Sequence, residues 1–175
     1  MTLIAAITAR RVIGKDGQMP WRIPEESKRF RRLTTGNVVV MGRKTFASIG
    51  GKPLRNRENI VISRTLPAET DGVTVCRSLD EGLERAAAFG KEVFIMGGAE
   101  IYRQTLPHAN RMYLSLVKKD YDGDEFFPAF DENDWVVTGA EDRPDFVFTV
   151  YERKKVQGPA SKVKAYDPGF WTLDP

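Results

Sequence analysis

One cysteine and one histidine serve a chain of 175 residues. Cys76 has no second thiol to form a disulfide, and with so few soft ligands no cysteine- or histidine-based metal site is expected. A Ser-His-Asp triad would have to be built around His108, whose setting, "LPHANR", reads as a solvated loop. No apolar run is long enough to cross a bilayer, so no membrane partner is expected. The first residues, "MTLIAAITARRVIG", lack the charged start and cleavage site of a signal peptide and read as a buried first strand; a cytoplasmic location follows. The formal net charge is only +3, which requires no nucleic-acid partner but suits small anions. Internal repeats, low-complexity linkers and a Gly-x-Gly-x-x-Gly fingerprint are also missing, the last counting against an ordinary Rossmann domain.

What is present alternates. Apolar residues make up 41% of the chain, ordinary for a soluble protein with one real core. Strand-like runs at residues 3–8, 37–41, 59–63, 73–76 and 92–96 are separated by helix-like runs. These helices are expected at 24–34, with proline near the first turn, at 44–49, from Ser78 onward, and after Gly97-Gly98 to about Leu106. Ser78 reads as an N-cap with Glu81 closing a capping box. "RMYLSLV", "DWVVTG" and "DFVFTVYERK" are late strands with no helix between them. The pattern predicts one α/β domain of about eight strands and four helices, mainly parallel with an antiparallel C-terminal edge. Residues 1–155 form this unit. Residues 156–175 are an extension rich in Pro, Gly and Ser whose Tyr166, Phe170 and Trp171 are expected to pack on the body.

Chemistry concentrates at a few places. On a helix starting at Pro24, Glu26, Phe30 and Leu33 share one face that should bury, so Glu26 stands at the N-terminal end of an apolar stripe. Helix position favours its carboxylate and burial opposes it, so it needs a partner: a structural ion pair, or a cationic or amidine-like ring. The basic run "KRFRR", residues 28–32, reads as a solvated helix face or as an electrostatic rim for an anionic substrate. Three strand-to-helix junctions carry Gly42-Arg43-Lys44-Thr45, Ser63-Arg64 and Gly97-Gly98. Glycine and helix N-termini admit phosphate, and Arg43, Lys44 and Arg64 would favour a ribose 2′-phosphate.

The segments "IAAIT", "VIGKDGQMPW", "VVMGRKTFASIG", "PLRNRENIVIS", "IMGGAEIY" and "YDGDEFFP", in that order and spacing, resemble the dihydrofolate reductase family over about residues 3–154. The resemblance implies an NADPH-dependent reduction of dihydrofolate. Glu26 would hydrogen-bond the pterin's 2-amino group and N3, with Ser115 orienting it. Ile4, Ala6, Phe30, Ile49, Leu54 and Met96 would wall the pocket, with Ser27 at its rim. Arg57 would hold the α-carboxylate of the substrate's glutamate. Met19 and Trp21 belong to a loop closing over the nicotinamide beside Ala6, Ile13 and Gly14, and Gly123 and Asp124 to the loop supporting it. Arg43, Lys44, Thr45, Ser63, Arg64 and Arg77 would hold the ribose phosphate and adenine. Gly97 and Gly98, joined by a cis peptide, with Ala99, Ile101 and Tyr102, would cover the pyrophosphate and nicotinamide. A monomer is expected. Ser27 departs from the apolar residue of many bacterial members, Gly51 and Lys52 reflect an extra residue before "PL", and the tail has no counterpart. Acquired trimethoprim-resistant members are similar in pairing Glu with a following polar residue. A related pyrimidine reductase of flavin biosynthesis shares fold and NADPH, but should lack the Glu26 and Arg57 arrangement.

Overall fold

A computed structural model describes residues 1–155. The reading of Tyr166, Phe170 and Trp171 lies outside them. In chain order the elements are β1 (Thr2–Thr8), β2 (Val12–Gly14), α1 (Pro24–Thr34), β3 (Val38–Gly42), α2 (Arg43–Ser48), β4 (Glu58–Ile62), β5 (Thr74–Cys76), α3 (Leu79–Ala88), β6 (Val93–Ile95), α4 (Ala99–Thr105), β7 (Arg111–Val117), β8 (Glu125–Phe126), β9 (Trp135–Asp142) and β10 (Phe146–Arg153). Single 3₁₀ turns follow α4, at Leu106–His108, and precede β9, at Glu132–Asp134.

Eight strands form one sheet in the order β5-β4-β3-β6-β1-β7-β10-β9. Every pairing from β5 to β7 is parallel, and β10 runs antiparallel to both β7 and β9. The expected architecture is therefore present. The central strands read as continuous apolar runs because both their faces are covered. Val38 and Val40 alternate with Val39 and Met41. The first pair joins the core with Leu79, Leu83 and Ala86 of α3 and Ile101 of α4. The second joins Phe30 and Leu33 of α1 and Phe46 of α2 on the other face.

Helix α1 has the expected bounds. Pro24 opens it, Glu25 and Glu26 lie in its first turn, and Arg31 and Arg32 in its last, all complementing the helix dipole. Ser78 caps α3, its hydroxyl accepting from the Glu81 amide at 3.2 Å. Glu81 reaches back, but to the Arg77 amide at 2.7 Å, one residue before the cap.

Two expectations need correction. His108 belongs to a 3₁₀ turn rather than an irregular loop. The run "KRFRR" is a solvated face only at Lys28, Arg31 and Arg32; Arg29 is 7% exposed, because it stands one turn beyond Glu26 on the face turned to the sheet. The ribbon of β2 and β8 was not legible at all, being too short for a periodic signal.

Candidate active site

A cleft of about 1510 Å³ opens at the carboxyl ends of β1, β3, β4 and β6, where ligands of such sheets bind. It is roomier than the 300–1,000 Å³ or so of a single small-molecule pocket. Glu26 stands in one half. It is 9% exposed, and its Oε1 accepts from the Ser115 hydroxyl at 3.3 Å. Burial pushes its pKa up, while the Ser115 hydrogen bond and the nearby Arg29 charge pull it down. Around it the cleft is lined by Ile4, Ala6, Ser27, Phe30, Ile49, Leu54 and Met96, with Trp21 closing one side. The Trp21 Nε1 is buried and has no hydrogen-bond partner among the described residues, so this donor is available to a bound molecule or water.

Arg57 stands at the mouth of this half. Its Nε donates to the Thr34 hydroxyl at 2.9 Å, Nη1 to the Arg55 carbonyl at 2.8 Å and Nη2 to the Arg31 carbonyl at 3.2 Å. A guanidinium has five N–H groups, so two are left to meet a carboxylate. Arg31, from the basic run read as a solvated face or an electrostatic rim for an anionic substrate, also lines the cleft here, with Thr35, which the sequence reading did not single out.

The other half is lined by Ile13, Gly14, Met19, Arg43, Lys44, Thr45, Ser63, Arg64, Gly98, Ala99, Ile101 and Tyr102. Lys44 leans on Glu125, 3.5 Å away, from an exposed position. The peptide between Gly97 and Gly98 is cis, as expected. Gly97 has φ +105°, and a Cβ there would sit 2.8 Å from the Tyr102 ring; no other residue fits both conditions. The Tyr102 hydroxyl donates to the Ile4 carbonyl at 2.7 Å. Burial drives its pKa upward, so it remains a proton-bearing donor, not a base.

Gly97, Ser115 and Arg77 do not line the cleft. Ser115 works through Glu26, and Gly97 makes room for Tyr102. Arg77 gives Nη1 to the carbonyls of Ser63 and Leu66, both at 2.8 Å, and so braces the loop that carries Arg64. The loop holding Met19 and Trp21 is supported as expected: the Asp124 amide donates to the Gly14 carbonyl at 3.0 Å, and Asp124 Oδ2 accepts from the Asp16 amide at 3.0 Å. A Cβ at Gly123 would come within 2.5 Å of the Gly14 carbonyl, which keeps this position glycine. The residue that sequence reasoning missed is Arg29. Its one signal was the three-residue spacing from Glu26.

The structure is an α/β fold with a mainly parallel sheet, and its cleft has one half rimmed by cations and an adjoining half holding a buried acid. The family model for dihydrofolate reductase matches residues 1–153, and the chain belongs to that family. It is 38% identical over 161 residues to the dihydrofolate reductase of Bacillus subtilis (strain 168), covering 88% of this chain and 95% of that protein. It is 47% identical over 139 residues to dihydrofolate reductase type A13 of Escherichia coli, covering 79% and 84%. A structure of dihydrofolate reductase from Enterococcus faecalis, complexed with NADP(H) and RAB-propyl, superposes with a TM-score of 0.80 at 30% identity, covering 88% of this chain and 96% of that one.

Proposed function

We propose that this chain reduces 7,8-dihydrofolate to 5,6,7,8-tetrahydrofolate with NADPH, and that Glu26 is the residue on which substrate recognition turns. The observation that carries this is a buried carboxylate whose one hydrogen-bond donor among the described residues is a serine hydroxyl. Such a group needs further donors, and the pterin's 2-amino group and N3 supply two. Family membership favours this substrate over the ribityl phosphate of the flavin-pathway reductase.

NADPH, when bound, supplies the hydride to C6 of the substrate. The cleft's size and the three cations of its second half, Arg43, Lys44 and Arg64, fit a phosphorylated dinucleotide beside a second ligand. Arg43, Lys44 and Arg64, with Thr45 and Ser63, would hold the 2′-phosphate, and Arg77 holds the loop of Ser63 and Arg64 in place. Gly98, Ala99 and Ile101 would hold the pyrophosphate, with Gly97 giving the backbone its path. Ile13, Gly14, Met19 and Ala6 would hold the nicotinamide. Ile4, Phe30, Ile49, Leu54 and Met96 pack the substrate ring, and Arg57 takes the glutamate's α-carboxylate in its two remaining N–H groups. The second hydrogen arrives as a proton on N5. Glu26 grips the far edge of the ring and raises N5 basicity, and the free Trp21 N–H suits an ordered water on that side. Positioning and water exclusion are the protein's contribution.

Residues 1–155 form the catalytic unit, acting as a cytoplasmic monomer with no nucleic-acid partner, and residues 156–175 are an extension to it. Among the described residues no helix is long and apolar enough to cross a membrane. The test is NADPH oxidation with dihydrofolate present, run against NADH. The wild type should prefer NADPH strongly, and Arg43→Ala with Arg64→Ala should erode that preference through cofactor KM. Equal use of both cofactors would defeat the 2′-phosphate assignment.

A further inference from the structure

An arginine is buried beneath the acid that recognises the substrate. Arg29 makes a bidentate pair with Glu141: Nη1 donates to Oε1 at 3.2 Å and Nη2 to Oε2 at 2.6 Å. Its guanidinium lies 4.3 Å from the centre of the Phe148 ring and 6.0 Å from that of Phe146. Its Nε is buried with no partner among the described residues. Stability alone gives no reason for a charge here. Two aromatic rings already line the place, and an apolar side chain would pack on them without the cost of desolvating an ion.

Sheet register explains what the arginine reaches. Ser115 on β7 stands opposite Phe148 on β10, and Phe148 stands opposite Glu141 on β9. Helix α1 lies along this transverse row. Glu26 meets the row at Ser115, and Arg29, one turn on, meets it at Glu141, two strands away. Glu141 also accepts from Arg143 Nη2 at 2.7 Å, and Arg143 Nε stands 3.5 Å from Glu25. The ionic chain thus leaves α1 at Arg29 and returns to it at Glu25, on either side of Glu26.

We propose that the Arg29–Glu141 pair is a positioning device for Glu26, fixing where its carboxylate meets the substrate ring and how much positive field it feels. The inference rests on Glu26 being the substrate acid. Ser115 on β7 and the Arg29 charge on α1 act on Glu26 directly, with Tyr102 of α4 close by; Glu141 on β9 is bonded to Arg29, and Arg143, in the turn after β9, links Glu141 to Glu25. Arg29 favours the ionised carboxylate, and Glu141 tempers that field while holding the guanidinium still.

The experiment compares Arg29→Met, Arg29→Lys and Glu141→Gln. The ionisation of Glu26 is followed directly by isotope-edited infrared spectroscopy, and trimethoprim serves as a 2,4-diaminopyrimidine probe whose protonated ring pairs with the carboxylate. Arg29→Met should move the Glu26 titration to higher pH and weaken the probe about three- to tenfold at neutral pH. Arg29→Lys keeps the charge and should recover most of the loss. Glu141→Gln should move the titration to lower pH, the opposite direction. If Glu26 titrates unchanged in both Arg29→Met and Glu141→Gln, or shifts the same way in both, Arg29 only packs and the proposal fails. Should Arg29→Met not fold, the downward shift in Glu141→Gln carries the same decision. Because the infrared titration needs no turnover, a wild type inactive on dihydrofolate would refute the proposed function while leaving this result readable.

Discussion

Glu26 is buried at the start of a helix with a single hydroxyl, among the described residues, to satisfy it, and burial raises its pKa. A carboxyl whose folded pKa lies above its unfolded value binds its proton more readily in the folded state. Its stabilising share is fully present below the unfolded pKa and is lost as pH rises through the folded one. Glu26→Gln removes that penalty. We expect the variant to melt no lower than the wild type at neutral pH, while turnover of dihydrofolate drops at least about a hundredfold and recovers partly in acid, where substrate arrives protonated. Steady-state rates across pH beside a melting curve check both halves; unimpaired turnover at neutral pH would reduce Glu26 to a structural acid. Its neighbour Ser27 lines the cleft and turns its hydroxyl back to the Ile23 carbonyl at 3.2 Å. That leaves the rim without the apolar contact an inhibitor ring would find on leucine. Glu26→Asp with Ser27→Leu should bind trimethoprim about ten- to thirtyfold more tightly, with methotrexate, which reaches Arg57 through its own glutamate, little changed. Paired inhibition constants decide it, and an unaltered trimethoprim constant would show that these two positions do not control the drug.

The turn between β6 and α4 is where an element's geometry sets the site. Gly97 accepts a hydrogen bond from the Gly42 amide at 2.8 Å, tying the turn to the end of β3. The same residue leaves room for the Tyr102 ring, whose hydroxyl in turn holds the Ile4 carbonyl of β1. Three strands therefore meet through one small residue. Gly97→Ala must strain a positive φ and displace an aromatic ring packed in the core. We expect a melting temperature lower by roughly 3–10 °C and weaker NADPH binding, read by calorimetry or by quenching of tryptophan fluorescence. A variant that melts and binds like the wild type would show that the turn can re-route without consequence.

Across the whole molecule, α1 is joined to the far antiparallel edge of the sheet by ions rather than by apolar contact alone. Glu141 sits between Arg29 and Arg143, whose hydrogen bonds hold its pKa down to about 2, against an ordinary 4.5. A depressed acid stabilises the fold above its unfolded pKa, and that share is lost as pH falls through the folded value. The window is thus the acid range between about 4.5 and about 2. Melting temperatures measured through it should fall less steeply for Glu141→Gln than for the wild type. Glu26 acts with the opposite sign, so Glu26→Gln should leave the acid limb no shallower. Identical acid limbs for the wild type and Glu141→Gln would mean that the pair is screened by solvent and contributes nothing there.

Local chemistry was enough to read much of this protein. Proline at the start, acids in the first turn and arginines in the last placed α1 at its observed bounds, and the unbroken valines of β3 announced a strand covered on both faces. The acid and the three cations were legible too, because each belongs to a short motif whose spacing survives in one dimension; the serine came only with the family resemblance. Tertiary structure alone decided the rest. The ribbon of β2 and β8 exists because residues over a hundred positions apart pair for only two or three residues each. Arg77 turned from the cleft to brace a loop, since two carbonyls eleven and fourteen residues away lay within its reach. Arg29 looked like one more cation on a solvated face. Its partner Glu141 is 112 residues away and comes to it only through the register of β7, β10 and β9. Periodicity tells which way a side chain points from its own element, but the charge it meets there is set by how strands from the other end of the chain are paired.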